Sequence, residues 1–131
     1  MKLICYGYGY FFLFAYLCSP LHHAATKGHT RYLEALIREG QSPNSRNQYG
    51  NTLLHLASLN GHEDTIETLI EYGADLFARN KFGNTLMHNA ALNGHVETLE
   101  LLHETYSLDI NTKNNAGSTP LHYACLLLFF L

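Results

Sequence analysis

A block of about 33 residues repeats along the chain, and this period constrains the fold more than any other feature. One histidine occurs in each copy: His22, His55, His88 and His122. The first three are evenly spaced, and the last follows one position later than that spacing. A glycine keeps the same even step: Gly28, Gly61 and Gly94. Self-similarity of this kind predicts a stack of small units, each packed on its neighbours.

Local chemistry predicts a turn and two short helices in each copy, as residues 47–79 illustrate. Gly50 supplies the positive φ that a tight turn needs. Thr52 is a good N-cap for the first helix, and Gly61 suits the left-handed conformation that ends it. Glu63 begins the second helix, because a carboxylate is favoured at the positive end of the helix dipole. The residues expected inside are Leu54, Ala57, Ser58, Ile66, Leu69 and Ile70.

Helices this short cannot bury their own apolar faces. Isolated helices under about 12 residues are marginal in water, so their stability must come from packing on neighbours. Stacked copies supply that packing. We therefore expect an all-α repeat fold, an α-solenoid of stacked helix pairs with a row of projecting hairpins.

The first helix of each copy begins with a similar tetrapeptide: Ser-Pro-Leu-His, Thr-Leu-Leu-His, Thr-Leu-Met-His and Thr-Pro-Leu-His. In each of the first three copies, a Gly-His pair follows that histidine at a constant distance. On these motifs the chain resembles the ankyrin-repeat family from Ser19 to Cys125. The resemblance implies an ankyrin-type α-solenoid with projecting β-hairpin loops. It also implies that the repeated histidines hold loops by hydrogen bonds.

The period divides the 131 residues into one repeat domain and two apolar ends. The parts are the segment 1–18, the domain 19–125 and the tail 126–131. The repeats are expected at about 19–46, 47–79 and 80–113, with a partial one at 114–125.

The third and fourth repeats depart from the pattern. Tyr106 stands where a glycine is expected, and one residue is inserted around Ser107 and Leu108, which predicts a longer loop. The fourth repeat becomes wholly apolar after Cys125, which we expect to be buried, and its second helix is missing. The residues expected inside the second helix of repeat three are Val96, Leu99 and Leu102.

Residues 3–18 are apolar or aromatic apart from two glycines, and three explanations stay open. They are a signal peptide or membrane anchor, an apolar segment packed on the first repeat, and the product of a gene boundary. The run is shorter than the roughly 18 residues that indicate a membrane span. Leu17 replaces the turn glycine, which favours the gene boundary.

No catalytic or cofactor motif occurs in the sequence. It has no glycine-rich phosphate loop, no Gly-x-Ser-x-Gly and no His-Glu-x-x-His. Seven of the nine histidines belong to the repeat pattern, at spacings unlike those of metal ligands. The net charge of −3 does not favour nucleic acid. We therefore expect no enzymatic activity, no cofactor, no metal site, and neither nucleic acid nor a small molecule as partner.

The resemblance implies that partners contact the hairpin tips and the exposed face of the first helices. Carried over by position, it gives these candidate contact residues: Arg46, Tyr49, Asn51, Leu59, Asn60, Arg79, Lys81, Phe82, Asn84, Leu92, Asn93 and Lys113. Arg46, Arg79 and Lys113 recur at one repeat position, so we expect a line of positive charge. Bridges from these residues to Asp75 and Asp109 are the structural alternative.

These observations predict a non-enzymatic protein–protein interaction module that binds along its concave face and hairpin tips. The basic edge predicts an acidic, extended partner segment with apolar anchors. Three cysteines without framework spacing fit reduced thiols, so we expect a cytoplasmic protein. Two alternatives stay open: a membrane-associated adaptor anchored through residues 3–18, and a truncated fragment of a larger multidomain ankyrin-repeat protein.

Overall fold

A computed structural model describes residues 19–129, with the backbone alone at residue 129. This part of the chain contains seven α-helices and one π-helical turn. They are α1 (Pro20–Lys27), α2 (Thr30–Arg38), α3 (Leu53–Leu59), α4 (Glu63–Glu71), α5 (Leu86–Leu92), α6 (Val96–Glu100), the π turn (Leu101–Thr105) and α7 (Pro120–Phe129). The predicted helix pairs are α1 with α2, α3 with α4, and α5 with α6 and the π turn. The expectations for residues 1–18 and 130–131 lie outside the described residues.

Capping residues decide where the first helices begin and end. Thr52 is the N-cap of α3, and its hydroxyl oxygen accepts the N–H of His55 at 3.3 Å. The imidazole of His55 returns this bond, because its Nδ1 accepts the N–H of Thr52 at 3.2 Å. Gly61 follows α3 in the left-handed conformation with a φ of 71°, as Gly28 does after α1 with a φ of 74°. The expected N-cap and glycine stop are confirmed.

The helix pairs stack through their first helices. α3 contacts both α1 and α5, and α5 contacts α7. Every residue of α3 from Leu53 to Ser58 is buried, so the helix is enclosed on more than the one predicted face. The second helix α4 buries Ile66 and Leu69 completely, while Ile70 is half-buried. Small residues such as Ala57 allow this close approach, since its side chain has no exposed surface.

The third repeat carries its extra residue inside a helix, so the predicted longer loop is wrong. In repeat two the amide of Ala74 bonds the carbonyl of Leu69, five positions earlier. In repeat three the amide of Leu108 bonds the carbonyl of Leu102, six positions earlier. The π turn Leu101–Thr105 accommodates the added residue, because a π-helix has one more residue per hydrogen-bonded turn than an α-helix.

Repeat three does lack the expected glycine, but the residue that replaces it is Ser107 and not Tyr106 as predicted. Gly73 ends the second helix of repeat two with a φ of 91°, and Ser107 takes the equivalent position with a φ of 59°. Tyr106 is therefore the counterpart of Tyr72, one position earlier. Both tyrosines pack half-buried against the core.

The helix α7 is longer than the other first helices. It has 10 residues, whereas α3 and α5 have 7 each. The sequence lacks Asn-Gly-His here, and Leu127 and its neighbours continue the helix. Residues 126–129, which we separated as a tail, therefore belong to α7. Leu127 lies against Gly94, where an added Cβ would come within 2.6 Å of its Cδ2 atom.

Two residues expected inside are exposed. The side chain of Val96 is 56% exposed, and the thiol of Cys125 is also exposed. The reason is that no second helix follows α7 among the described residues, so nothing in this part of the chain covers them. Leu102 is fully buried and Leu99 half-buried, as predicted for the inner side of repeat three.

The repeated histidines join neighbouring repeats. The Nε2 atom of His55 donates to the carbonyl of Asn84, in the next repeat, at 2.9 Å. His88 makes the same kind of bond to the carbonyl of Ser118, in repeat four, at 2.8 Å, whereas His22 bonds the carbonyl of Ser45, within repeat one, at 3.3 Å. Of the Gly-His residues, His62 donates its Nε2 to a carbonyl of the preceding repeat at 2.9 Å. The loop-holding role implied by the resemblance is confirmed for these four.

The environment of His22, His55 and His88 favours the neutral imidazole. A carbonyl oxygen only accepts, so Nε2 carries the hydrogen while Nδ1 accepts at the N-cap. Burial lowers the pKa of His55 from 6.5 to about 4, although its bond to the Asn84 carbonyl acts in the opposite direction. Burial lowers the pKa of His22 and of His88 as well.

Replacing Ala57 by leucine tests the packing of α3. We expect Ala57→Leu to reduce the free energy of unfolding by about 1–3 kcal/mol, because added methylene groups overpack a closed core. Ala35→Leu is the matched control, since Ala35 is exposed on α2. Thermal melts of both variants measure the difference. Equal melting of Ala57→Leu and the parent would contradict the helix packing described above.

Stability should fall as pH falls from 6.5 to 4. In this window the unfolded chain binds a proton at His55 that the folded chain does not bind, so protonation favours unfolding. The difference in pKa corresponds to about 3 kcal/mol for His55. Denaturant unfolding at a series of pH values measures it, and His55→Gln should give a shallower slope than the parent. Identical slopes for the two proteins would rule out this role of His55.

Candidate protein-binding surface

Each hairpin tip is shaped by one asparagine. The Oδ1 atom of Asn80 accepts the N–H groups of Phe82 and Asn84, at 2.9 and 3.0 Å. Asn47 and Asn114 make equivalent pairs of bonds in the neighbouring hairpins. These three asparagines were not among the predicted contact residues. The sequence did contain a signal for them, because an asparagine recurs at this place in repeats two, three and four.

Neighbouring hairpins are bonded to one another through their main chains. The amide of Lys81 donates to the carbonyl of Tyr49 at 3.0 Å, and the amide of Asn115 donates to Phe82 at the same distance. The two main chains lie so close together that a side chain larger than that of glycine would not fit at Gly50. A Cβ added to Gly50 would lie 2.9 Å from the Lys81 nitrogen. The hairpins therefore form a connected row and present their side chains at fixed spacing.

The arginines of the predicted basic line bond to main-chain carbonyls. The Nη1 atom of Arg46 donates to Gly50 at 2.9 Å and to the carbonyl of Arg79 at 2.7 Å. Arg79 repeats the pattern, donating to Gly83 at 3.0 Å and to the carbonyl of Lys113 at 2.8 Å. Each arginine thus reaches the position of the next basic residue, which puts the three positions side by side along the stack.

The alternative bridges to Asp75 and Asp109 are wrong. Asp75 accepts the N–H of Phe77, and Asp109 accepts the N–H of Asn111, so each carboxylate shapes its own turn. Among the described residues, the single ion pair joins Glu34 and Arg38 within α2, at 2.9 Å. The guanidinium groups of the hairpin row are therefore not neutralised by a bound carboxylate in this part of the chain.

Most of the predicted contact residues lie on the surface. The exposed ones are Arg46, Tyr49, Arg79, Lys81, Phe82, Leu92, Asn93 and Lys113. Asn51, Leu59 and Asn60 are half-buried. The aromatic rings at the tips are the most open apolar members, since 51% of Tyr49 and 57% of Phe82 is exposed.

Asn84 was predicted to contact a partner, but its side chain is buried. Only 7% of it is exposed, and its Oδ1 accepts Asn114 Nδ2 at 2.8 Å and the Tyr123 hydroxyl at 3.1 Å. Its side chain joins repeats three and four. Asn93 combines both roles, because it is exposed while its Nδ2 donates to the carbonyl of Leu59 at 2.8 Å.

Most of the carboxylates lie on the second helices, away from the hairpin tips. The second helices α4 and α6 and the π turn carry Glu63, Asp64, Glu67, Glu71, Glu97, Glu100 and Glu104. Within residues 19–129, no group of three or more potential ligands is placed to hold a metal ion. No helix in the same range is long and apolar enough to cross a membrane. The membrane association considered for residues 3–18 lies outside the described part.

Family models described as ankyrin repeats match the chain over most of its length. A model of three repeat copies matches residues 3–80, and a model of many copies matches 60–103 and 94–127. The first match includes residues 3–18, which we had separated from the repeats. No match to a curated protein was found. Ankyrin repeats are generally protein–protein interaction modules and typically non-enzymatic. The stacked helix pairs and these matches together establish that the chain belongs to the ankyrin-repeat family.

Proposed function

We propose that this chain is a non-enzymatic interaction module that binds a partner protein along its hairpin tips and the adjoining face of its first helices. One observation carries the proposal. The hairpins are bonded into a fixed row, yet Tyr49 and Phe82 are more than half exposed at successive tips. Fixed aromatic side chains make good anchors, because little conformational freedom is lost when a partner covers them.

The charge around these rings favours an acidic partner segment. Arg46, Lys81 and Lys113 are exposed beside the aromatic tips. Charges within about 8–10 Å reinforce one another at physiological salt, which is about one Debye length. Most carboxylates lie on the second helices instead, and Asp75 and Asp109 accept bonds within their own turns, so an extended acidic segment would be attracted to one edge of the stack.

The first helices extend the same surface. Leu92, at the end of α5, is 40% exposed, and its counterpart Leu59 is half-buried. Leu59 and Leu92 would contact apolar side chains of a partner segment that extends from the hairpins onto the concave face. We also propose that the module acts in the cytoplasm, which the sparse cysteines support.

The basic and aromatic contributions are separable by mutation. Once a partner has been isolated by pull-down, we expect Lys81→Glu with Lys113→Glu to slow association by about tenfold at low salt and to weaken its salt dependence. Tyr49→Ala with Phe82→Ala should instead speed dissociation by about tenfold or more. Surface plasmon resonance measures both rates. The lysines are chosen because Arg46 and Arg79 also hold hairpins together.

A matched control changes the same charge elsewhere. Arg31 is exposed on the second helix α2, away from the hairpin tips and the first helices, so Arg31→Glu should leave both rates unchanged. Melting curves establish that every variant is folded. Parental affinity in both hairpin variants would place the binding site on another surface.

A further inference from the structure

An apolar groove lies at the end of the stack, apart from the hairpin edge. It has a volume of about 340 Å³ and runs between the second helix of repeat three and α7. Its walls include Val96, Leu99 and His103 on one side and Leu121 and Ala124 on the other. Val96 is 56% exposed and Leu121 is 70% exposed, so no described residue covers the groove.

Earlier in the stack, a second helix fills the equivalent place. α4 packs against both α2 and α3, where it buries Ile66 and Leu69 completely. The groove beside α6 and α7 has the same two neighbours: the preceding second helix and a first helix. Its shape and apolar walls therefore suit a short helix with one apolar face.

Two of the polar contacts between successive second helices place a carboxylate of the earlier helix against a donor of the later one. A carboxylate of one helix accepts a bond from a donor on the next: Tyr72 donates to Glu34 at 3.0 Å, and Thr98 donates to Glu63 at 2.8 Å. Glu67 and Tyr106 are the counterparts of Glu34 and Tyr72 in the next pair of repeats. Burial, and then the charges of Glu67 and Glu71, raise the pKa of the Tyr106 phenol.

The same register predicts what faces the open groove. Glu100 is the counterpart of Glu34 and Glu67, since the three are evenly spaced at the repeat period. Glu100 and Glu104 both line the groove, and no basic side chain lines it except His103, whose Nδ1 bonds the carbonyl of Leu108 at 2.9 Å. An occupant with positive charge or hydroxyl donors at this edge would complement the two carboxylates.

We propose that this groove binds an amphipathic helix of a partner protein in the position that α4 holds between α2 and α3. Apolar side chains spaced three and four positions apart enter the groove, and a basic residue faces Glu100. This groove is separate from the hairpin edge, so evidence against one of the two proposed sites would leave the other proposal intact.

The test uses two labelled peptides and the full 131-residue chain. Each peptide carries the sequence of residues 63–72, is stapled into a helix on its outer side, and has its acidic residues changed to glutamine. One contains Tyr72→Lys and the other Tyr72→Glu, because Tyr72 is the residue that faces Glu34. Fluorescence anisotropy should give a Kd about 2–5-fold lower for the lysine peptide, as expected for one exposed ion pair. In Glu100→Lys this preference should reverse.

Variants of α7 test whether the peptide lies in the groove. Leu121→Asp should raise the Kd of both peptides by about tenfold or more, because it puts a charge against their apolar face. Leu128→Asp is the matched control, since Leu128 is also 70% exposed on α7 but does not line the groove. Val96→Asp provides a second groove variant if Leu121→Asp is not folded by circular dichroism.

Three results would overturn the proposal. They are no binding of either peptide at millimolar concentration, equal binding to Leu121→Asp and Leu128→Asp, and an unchanged preference in Glu100→Lys. A fourth result that would overturn the proposal comes from light scattering. If the protein is a dimer that dissociates in Leu121→Asp, a second copy of the chain covers the groove.

Discussion

The hydrogen bond from a buried, neutral histidine to the next repeat is the interaction on which the rest of the structure depends. His55 uses one ring nitrogen to cap its own helix at Thr52 and the other to bond the carbonyl of Asn84. One side chain therefore determines both where a helix starts and where the next hairpin lies. His88 does the same at Thr85 and Ser118, so repeats two, three and four are held at a constant geometry.

The hairpin edge inherits this geometry. Main-chain bonds between tips and the arginine bonds to carbonyls keep neighbouring hairpins together. The side chains that remain exposed, such as Tyr49 and Phe82, are thereby presented by a backbone that has little freedom to move. The same arrangement explains why the arginines have two effects: each supplies charge to the edge and also holds two hairpins.

Periodicity predicted most of the fold, because capping and glycine chemistry act locally and repeat with the sequence. It placed Thr52 at a helix start and Ala57 inside the stack. Periodicity did not place the extra residue of repeat three correctly. An inserted residue can lengthen a loop or widen a helical turn, and both leave the register of the following repeat unchanged. Periodicity also did not predict that Val96 is exposed, because burial there depends on which helix follows in space.

The candidate surface was predicted less completely than the fold. Exposure of Lys81 and Phe82 followed from their place at the tips, whereas Asn84 turned out to be buried between repeats. Two residues on the same hairpin face different ways, and the sequence does not distinguish them. The carbonyl partners of Arg46 were not predictable either, since every main-chain carbonyl is equally available in the sequence.

In this structure His55 is neutral, carries its hydrogen on Nε2 and is bonded to the next repeat. Long-range ¹⁵N–¹H correlation NMR of the imidazole nitrogens measures the tautomer directly, and a pH titration of the same signals gives the pKa. The structure predicts the Nε2–H tautomer and titration near pH 4. A hydrogen on Nδ1, or titration at the ordinary value of about 6.5, would contradict it.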